Sequence, residues 1–299
     1  MNRRAYIVGN ANYERINSLK NTLNDVDKMD KVLKSAQFDT HTFKDLSRYE
    51  LEDCINKFTF DLFGIDTALF YYAGHGIEHN GRNYLIPCDA KIDYDNIEEM
   101  GVDISDFLLK FAKEKDFTCI IILDCCREFL DNSRGVHSEN KLTAFNAPQG
   151  TFIAYATSPG KKASDGDGKN GLYTECLCNH LLEEGVKIED IFKKVRREVI
   201  DASNCTQIPW EYSSLIGEFY FVESEQKIKE LMNEHDCFSL VDSLCANHSS
   251  YETIEKEIYC FWDSMHYKLK ECFTQLGLKS KQEFLNYLLD YIDESFIMR

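Results

Sequence analysis

The stretch "FTCIIILD", residues 117–124, is the most apolar run in the chain, and it decides the class of fold. Apolar residues follow one another without alternation, which indicates a strand buried on both faces. The runs "AYIVGN" (5–10), "TALFYYAG" (67–74) and "GTFIAYAT" (150–157) have the same character. Because amphipathic stretches separate these runs, the sequence predicts an α/β fold with a mostly parallel central sheet and helices on both faces.

The amphipathic stretches have apolar residues at helical spacing. They predict helices over residues 22–38, 49–63, 104–114, 171–185 and 187–203. After residue 222 the chain becomes helical in pattern and rich in Glu, Lys and aromatic residues, and residues 282–296 are strongly amphipathic. We therefore predict an α/β domain over residues 1–222 and a small α-helical C-terminal module over residues 223–299.

The composition limits the partners and cofactors. The net charge of −17 repels phosphate backbones, which argues against nucleic acid and anionic membranes as partners. No apolar run approaches the ~20 residues of a membrane span, and no signal peptide is recognisable, so we expect a cytoplasmic protein with reduced thiols. The spacings of the 12 Cys match no common zinc pattern, no Gly-rich phosphate loop follows the first strand, and no dedicated calcium loop is present. We expect neither a metal nor a cofactor, although the acidity leaves calcium dependence open.

Two strand ends carry the residues with the most reactive chemistry. In "YYAGHGIEHNG" (71–81), His75 stands between two glycines just after a strand, and "IIILDCCREF" (120–129) ends a second strand at Cys125 and Cys126. Loops at the carboxyl ends of parallel strands form the functional edge of such sheets. A cysteine there becomes a nucleophile when a histidine acts as its base.

The residues alone leave two questions open at this edge. A single His or Cys at a strand end more often has a structural role, although the two together are a stronger signal. Adjacent strand-end residues point in opposite directions, so only one of Cys125 and Cys126 can face His75. The backbone N–H groups of Gly76 and of the nucleophile are candidates for an oxyanion hole.

The order of several motifs carries a resemblance to a known family. The motifs "YIVGNANY", "LNDVDKM", "LFYYAGHG", "ILDCCR", "IAYATSPGKKASDG" and "IPWEYSSLIGEFYF" follow one another along the chain. In caspases a catalytic histidine precedes the cysteine by about 50 residues, as His75 precedes Cys126. Over roughly residues 3–222 the chain resembles the caspase superfamily, and most of all paracaspases and prokaryotic caspase-like proteases. The resemblance implies the caspase-like three-layer fold.

The resemblance also implies roles for the strand-end residues. Aligning "DCCR" with the family pattern Asp-x-Cys-Arg puts Cys126 at the nucleophile position and Cys125 at the variable one. Cys126 would attack the peptide carbonyl, and His75 would protonate the leaving amine and then activate water. A backbone carbonyl often orients the histidine in this family.

Substrate preference follows from the acidic positions that match the paracaspase pocket. These are Asp25, Asp124 and Asp165, of which Asp25 and Asp165, taken alone, would normally be solvated. Carboxylates around one slot bind a guanidinium by bidentate, charge-assisted bonds, which predicts cleavage after Arg, preferred, or Lys. The segment "IPWEYSSL" (208–215) resembles the part that lines neighbouring subsites, and it contributes Trp210 and Ser213 as candidate substrate-binding residues.

Several wider expectations rest on the same resemblance. The substrate would be a protein or peptide, and an activating ligand or partner would bind the C-terminal module. A role in bacterial antiviral defence or cell death is expected by analogy. Arg134 and Lys141, in the polar stretch 127–150, are candidate sites of autoprocessing.

Three alternatives compete with the protease. They are a catalytically silent caspase-fold scaffold, a cysteine-dependent enzyme of another class, and a flavin- or nucleotide-binding protein. Both dyad residues and all three acids are present, which favours the protease.

Overall fold

The computed structural model describes residues 3–60, 64–80, 82–91, 96–104, 117–125, 149–158, 168–224, 251–264, 270, 273 and 280–288. Contacts divide the chain into two compact units. One contains residues 2–183 and 187–219, and the other contains residues 184–186 and 220–299 together with Met1. The domain boundary that the sequence predicts after residue 222 stays a prediction.

Nine strands and six helices have defined bounds among the described residues. The strands are β1 (Arg3–Gly9), β2 (Asp39–Lys44), β3 (Thr67–Gly74), β4 (Gly76–His79), β5 (Arg82–Leu85), β6 (Val102–Asp103), β7 (Thr118–Cys125), β8 (Thr151–Tyr155) and β9 (Trp210–Ser213). The helices are α1 (Thr22–Ser35), α2 (Arg48–Phe60), α3 (Ile97–Met100), α4 (Leu172–His180), α5 (Ile188–Ala202) and α6 (Tyr251–Ser264).

The central sheet has six strands in the order β2-β1-β3-β7-β8-β9. Every neighbouring pair is parallel except β8 and β9, which are antiparallel. The four inner strands are the four apolar runs that the sequence identifies, and every residue of β3 and β8 is buried. The prediction of a mostly parallel sheet is therefore confirmed. The chain order reverses between β1 and β3, which is where ligands bind in open α/β sheets.

Helices cover both faces of this sheet, as predicted. Because side chains alternate along a strand, Tyr72 and Tyr71 point to opposite faces. Tyr72 belongs to a core cluster that includes Phe58 of α2. On the other face, the Tyr71 hydroxyl contacts α4, and the Phe152 ring of β8 lies 4.8 Å from the Phe192 ring of α5.

A second, three-stranded antiparallel sheet begins immediately after His75. Its order is β4-β5-β6, and β4 and β5 form a hairpin. The apolar pattern of the sequence does not predict this sheet, although Asn80-Gly81 is a strong hairpin signal. Asn80 has a φ of 52°, a conformation that asparagine tolerates better than most residues. The hairpin begins one residue after His75.

The second unit is helical in its described parts. Its helices are α6 and residues 281–288. Their apolar side chains form a small core in which Ile258, Phe273 and Phe284 are fully buried. The Trp262 ring lies 5.1 Å from the Phe284 ring. Of the helices that the structure describes, none is long and apolar enough to cross a lipid bilayer.

Candidate active site

The register between β3 and β7 sets the geometry of the site. Gly74 pairs with Cys125, the last residue of β7. In the sequence, His75 and Cys126 are therefore the residues that come directly after the ends of two neighbouring parallel strands. Cys126 lies outside the described residues, as do Asp165 and the stretch that contains Arg134 and Lys141.

A backbone carbonyl orients the His75 ring. Nε2 of His75 lies 2.7 Å from the carbonyl oxygen of Asn17. A carbonyl can only accept a hydrogen bond, so Nε2 carries the proton in this arrangement. Nδ1 is then the ring nitrogen that can take up and release a proton. The ring also packs against Tyr13, with the ring centroids 4.6 Å apart.

The loop that carries Tyr13 and Asn17 is anchored by Asn10, which is fully buried. The Asn10 side-chain oxygen accepts from the Leu46 N–H at 2.9 Å, and its Nδ2 donates to the carbonyl of Ile86 at 3.0 Å. A single amide thus links three chain segments at this edge of the sheet.

Asp45 anchors the same loop from outside the core. One carboxylate oxygen accepts from the backbone N–H groups of Ala11 and Asn12, at 2.8 and 2.9 Å. Burial opposes ionisation of Asp45, but these hydrogen bonds outweigh it and hold the pKa of the carboxyl below its usual range. The lowered pKa keeps Asp45 ionised, so the N–H groups of the loop donate their hydrogen bonds to a carboxylate.

Cys125 does not face the functional edge. Its side chain is 6% exposed and belongs to the core cluster that contains Tyr72, Leu123 and Tyr155. Alternation along β7 accordingly directs Asp124 to the opposite face, towards α1 and α4.

Asp25 and Asp124 converge on one point, although they lie 99 residues apart in the sequence. A Cβ added to Gly171 would lie 3.0 Å from Oδ2 of Asp25 and 3.6 Å from Oδ2 of Asp124. Asp25 belongs to the first turn of α1, Asp124 nearly ends β7, and Gly171 precedes α4. Three separate elements therefore bring two carboxylates together.

Both carboxylates accept hydrogen bonds that fix their positions. Oδ1 of Asp25 accepts from the Gly171 N–H and from Nδ2 of Asn170, each at 2.9 Å. Oδ2 of Asp124 accepts from the Thr174 hydroxyl at 2.6 Å, and Thr174 in turn lies 2.5 Å from the Tyr71 hydroxyl. These groups are held in place before any ligand arrives.

The local potential is negative. Burial, followed by the charges of Asp124 and Asp25, raises the pKa of the Tyr71 hydroxyl well above its usual value. A site of this charge, with fixed carboxylates, favours a cationic group over a neutral or anionic one.

Trp210 and Ser213 occupy opposite ends of β9. Trp210 pairs with Tyr155, at the carboxyl end of β8, and its side chain is 43% exposed. Ser213 pairs with Phe152, three residues further from that edge, and its hydroxyl donates to Glu189 at 3.2 Å. The fold thus brings Trp210, but not Ser213, to the edge where His75 lies.

A family model described as "Caspase domain" matches residues 2–220. This chain belongs to the caspase-domain family, a family of cysteine peptidases. The recognition of the caspase superfamily from sequence motifs is confirmed.

Individual relatives support the same assignment. This chain is 25% identical over 298 residues to mucosa-associated lymphoid tissue lymphoma translocation protein 1 of Homo sapiens, covering 96% of this chain and 33% of the relative. It is 28% identical over 186 residues to the paracaspase of Dictyostelium discoideum, covering 60% of this chain and 44% of the relative. The chain thus spans less than half the length of either protein.

A solved structure supports the fold independently. The "Crystal Structure of Caspase-1 from Spodoptera frugiperda" superposes with a TM-score of 0.57 at 19% sequence identity. The match covers 75% of this chain and 90% of the other. The caspase-like fold that the motifs imply is confirmed.

Three contributors to the site of this caspase domain were missed by sequence reasoning. Asn17 acts through its backbone carbonyl, which leaves no trace in the residue type. Thr174 is one helical threonine among several polar residues, and Tyr13 follows "NAN" in a loop without a periodic pattern. The motif "YIVGNANY" includes Tyr13 but gives no role to it.

Proposed function

We propose that this caspase domain is a cysteine endopeptidase that cleaves proteins or peptides after Arg, preferred, or Lys. The observation that carries the proposal is the convergence of Asp25 and Asp124 on Gly171, at the end of the strand that leads to Cys126. Two fixed carboxylates suit a planar guanidinium, which binds bidentately, better than they suit an ammonium.

The dyad would work through His75 and Cys126. Nδ1 of His75 takes the thiol proton of Cys126, the thiolate attacks the peptide carbonyl carbon, and the carbon–nitrogen bond breaks as Nδ1 gives that proton to the leaving amine. Nδ1 then takes a proton from water, whose oxygen attacks the thioester carbon. The carbon–sulfur bond breaks, the carboxylic acid leaves, and the proton on Nδ1 returns to the sulfur of Cys126. The Gly76 N–H is the proposed donor to the oxyanion. Asn17 supports this cycle, because its carbonyl holds the proton on Nε2 and leaves Nδ1 for the exchange.

The remaining substrate contacts follow the family pattern. Asp165 would add a third carboxylate to the pocket, and Trp210 would form an apolar wall beside it. Ser213 is the weakest of the proposed contacts, because its hydroxyl donates a hydrogen bond to Glu189 and it lies at the end of β9 that is further from His75. Activation through the C-terminal module, autoprocessing at Arg134 or Lys141, a role in bacterial defence or cell death, and a cytoplasmic location stay predictions.

The proposal is tested with fluorogenic peptides that differ only in the residue before the scissile bond, which is Arg, Lys or Asp. Wild-type protein is compared with Cys126→Ala and, as a matched control, with Cys125→Ala. We expect hydrolysis after Arg and Lys that Cys126→Ala abolishes and Cys125→Ala retains.

A second readout keeps the test decisive if turnover is slow. A peptide with Arg before an electrophilic ketone should alkylate one thiol, and intact-mass analysis should find no adduct in Cys126→Ala. Cleavage after Asp would contradict the acidic pocket. If wild-type protein shows neither turnover nor alkylation, a catalytically silent scaffold is favoured instead.

A further inference from the structure

The backbone of His75 is enclosed by two tyrosine hydroxyls. The His75 N–H donates to the Tyr13 hydroxyl at 2.7 Å. The Tyr72 hydroxyl lies 3.0 Å from the carbonyl of His75 and also 3.0 Å from the carbonyl of Ile86. Both polar groups of the His75 backbone therefore bond a tyrosine.

Burial raises the pKa of both hydroxyls, so each keeps its proton. Carbonyl oxygens cannot donate, so the Tyr72 hydroxyl is the donor to the carbonyls of His75 and Ile86. The Tyr13 hydroxyl accepts from the His75 N–H, so the N–H and the carbonyl of His75 are each held by a buried tyrosine.

Gly74 leaves the space for these two hydroxyls. A Cβ at Gly74 would lie 2.6 Å from the Tyr72 hydroxyl and 2.8 Å from the Tyr13 hydroxyl. Real Cβ atoms essentially never approach so closely, so a larger residue would displace one of the hydroxyls. The glycine before the histidine is thus required by packing at this position.

We propose that Tyr13 is a positioning residue for His75: its hydroxyl fixes the backbone from which the imidazole projects, while the carbonyl of Asn17, in the same loop, fixes the imidazole itself. The proposal rests on the proposed role of His75 as acid and base. Both contacts come from one short loop, so the loop sets the position and the tautomer of the histidine together. Tyr13 does not contact the substrate in this scheme.

The test removes single hydroxyls. Tyr13→Phe keeps the ring that packs on His75 and deletes only the acceptor. Tyr173→Phe is the matched control, because Tyr173 is fully buried and its hydroxyl has no hydrogen-bond partner within the described part of the chain. Because small misplacement of a reacting group is costly, we expect Tyr13→Phe to lower kcat about tenfold to a hundredfold, with KM within about twofold of wild type. Tyr173→Phe should leave both constants near wild type.

Two further readouts separate positioning from a loss of stability. In ¹⁵N-histidine NMR spectra, wild-type His75 should be in the Nε2–H form, and Tyr13→Phe should reduce that population. Tyr13→Phe and Tyr72→Phe together should lower kcat by less than the product of the two single effects, because both hydroxyls hold the same His75 backbone and their effects are therefore not independent. Unchanged kcat in Tyr13→Phe, an equal loss in Tyr173→Phe, or independent effects in the double variant would overturn the proposal. If wild-type protein neither hydrolyses the peptides nor is alkylated by the electrophilic ketone, the proposed function fails, and the NMR comparison alone decides whether Tyr13 positions His75.

Discussion

Gly171→Ala probes the proposed pocket with one methyl group. The new Cβ would lie 3.0 Å from Oδ2 of Asp25 and 3.6 Å from Oδ2 of Asp124, on the side where both carboxylates converge. The backbone at Gly171, with φ −60° and ψ 144°, is open to alanine, so no strain is introduced there. The Gly171 N–H still bonds Asp25. The change therefore narrows the pocket and leaves the main chain in place.

The size of the effect follows from what the methyl blocks. A hydrogen bond to a charged group contributes about 1.5–3 kcal/mol, and losing one from a guanidinium should lower kcat/KM about tenfold to a hundredfold. Peptides with Lys should lose less, because an ammonium needs only one of the carboxylates. The N-cap change itself should cost about 0.5–1 kcal/mol of stability, too little to unfold the protein.

The assay is kcat/KM for paired Arg and Lys peptides, measured below the onset of thermal unfolding. Gly168→Ala is the control, because a Cβ at Gly168 meets no described atom within 4 Å. We expect the ratio of Arg to Lys cleavage to fall in Gly171→Ala and to stay constant in Gly168→Ala. Equal ratios in both variants would refute the view that Asp25 and Asp124 bind the basic side chain.

Two other predictions concern the loop that supports the histidine. Asn10→Ala leaves the buried Leu46 N–H without its acceptor and should lower the free energy of unfolding, measured by urea denaturation, by about 2–4 kcal/mol. Asn12→Ala, at an exposed position, should lower it far less. Similar losses in the two variants would contradict the anchoring role of Asn10. Asp45→Asn removes a carboxylate whose pKa is depressed in the folded state, so wild type should exceed the variant in stability above the unfolded-state pKa of about 3.9, and the difference should shrink as the pH falls through the lower folded-state pKa. A difference that stays constant from pH 7 to pH 3 would exclude the charge as its source.

The sheet could be predicted because its inner strands are uniform. β1, β3, β7 and β8 are apolar on both faces, so their sequences alone indicate burial. The sequence does not predict the edge strand β2, because "DTHTFK" is polar and only partly buried. The strand β9 lies in the segment that is predicted to line substrate subsites, but the sequence does not predict it as a strand. Its pairing with β8 depends on long-range contacts that the local sequence pattern does not encode.

The site was predictable to the extent that side-chain identity carries the chemistry. His75, Asp25 and Asp124 are reactive or charged residues, and they stand in the sequence motifs that resemble the family, so they can be identified as candidate site residues from the sequence. Asn17 contributes a main-chain oxygen, and Thr174 gains its role only because α4 packs its hydroxyl against Asp124. Such roles arise from the folded geometry, so no reading of the residue types could assign them.

The one charged residue of β7 has a consequence for folding itself. Apart from Asp124, the strand "TCIIILDC" would fit its neighbours almost equally well with either face inward. A slip of one residue would turn the carboxylate towards Phe70 and Tyr72, where an unpaired charge would cost several kcal/mol. Asp124 thereby fixes the alignment of an otherwise ambiguous strand, because a mispaired sheet would bury its carboxylate among apolar side chains.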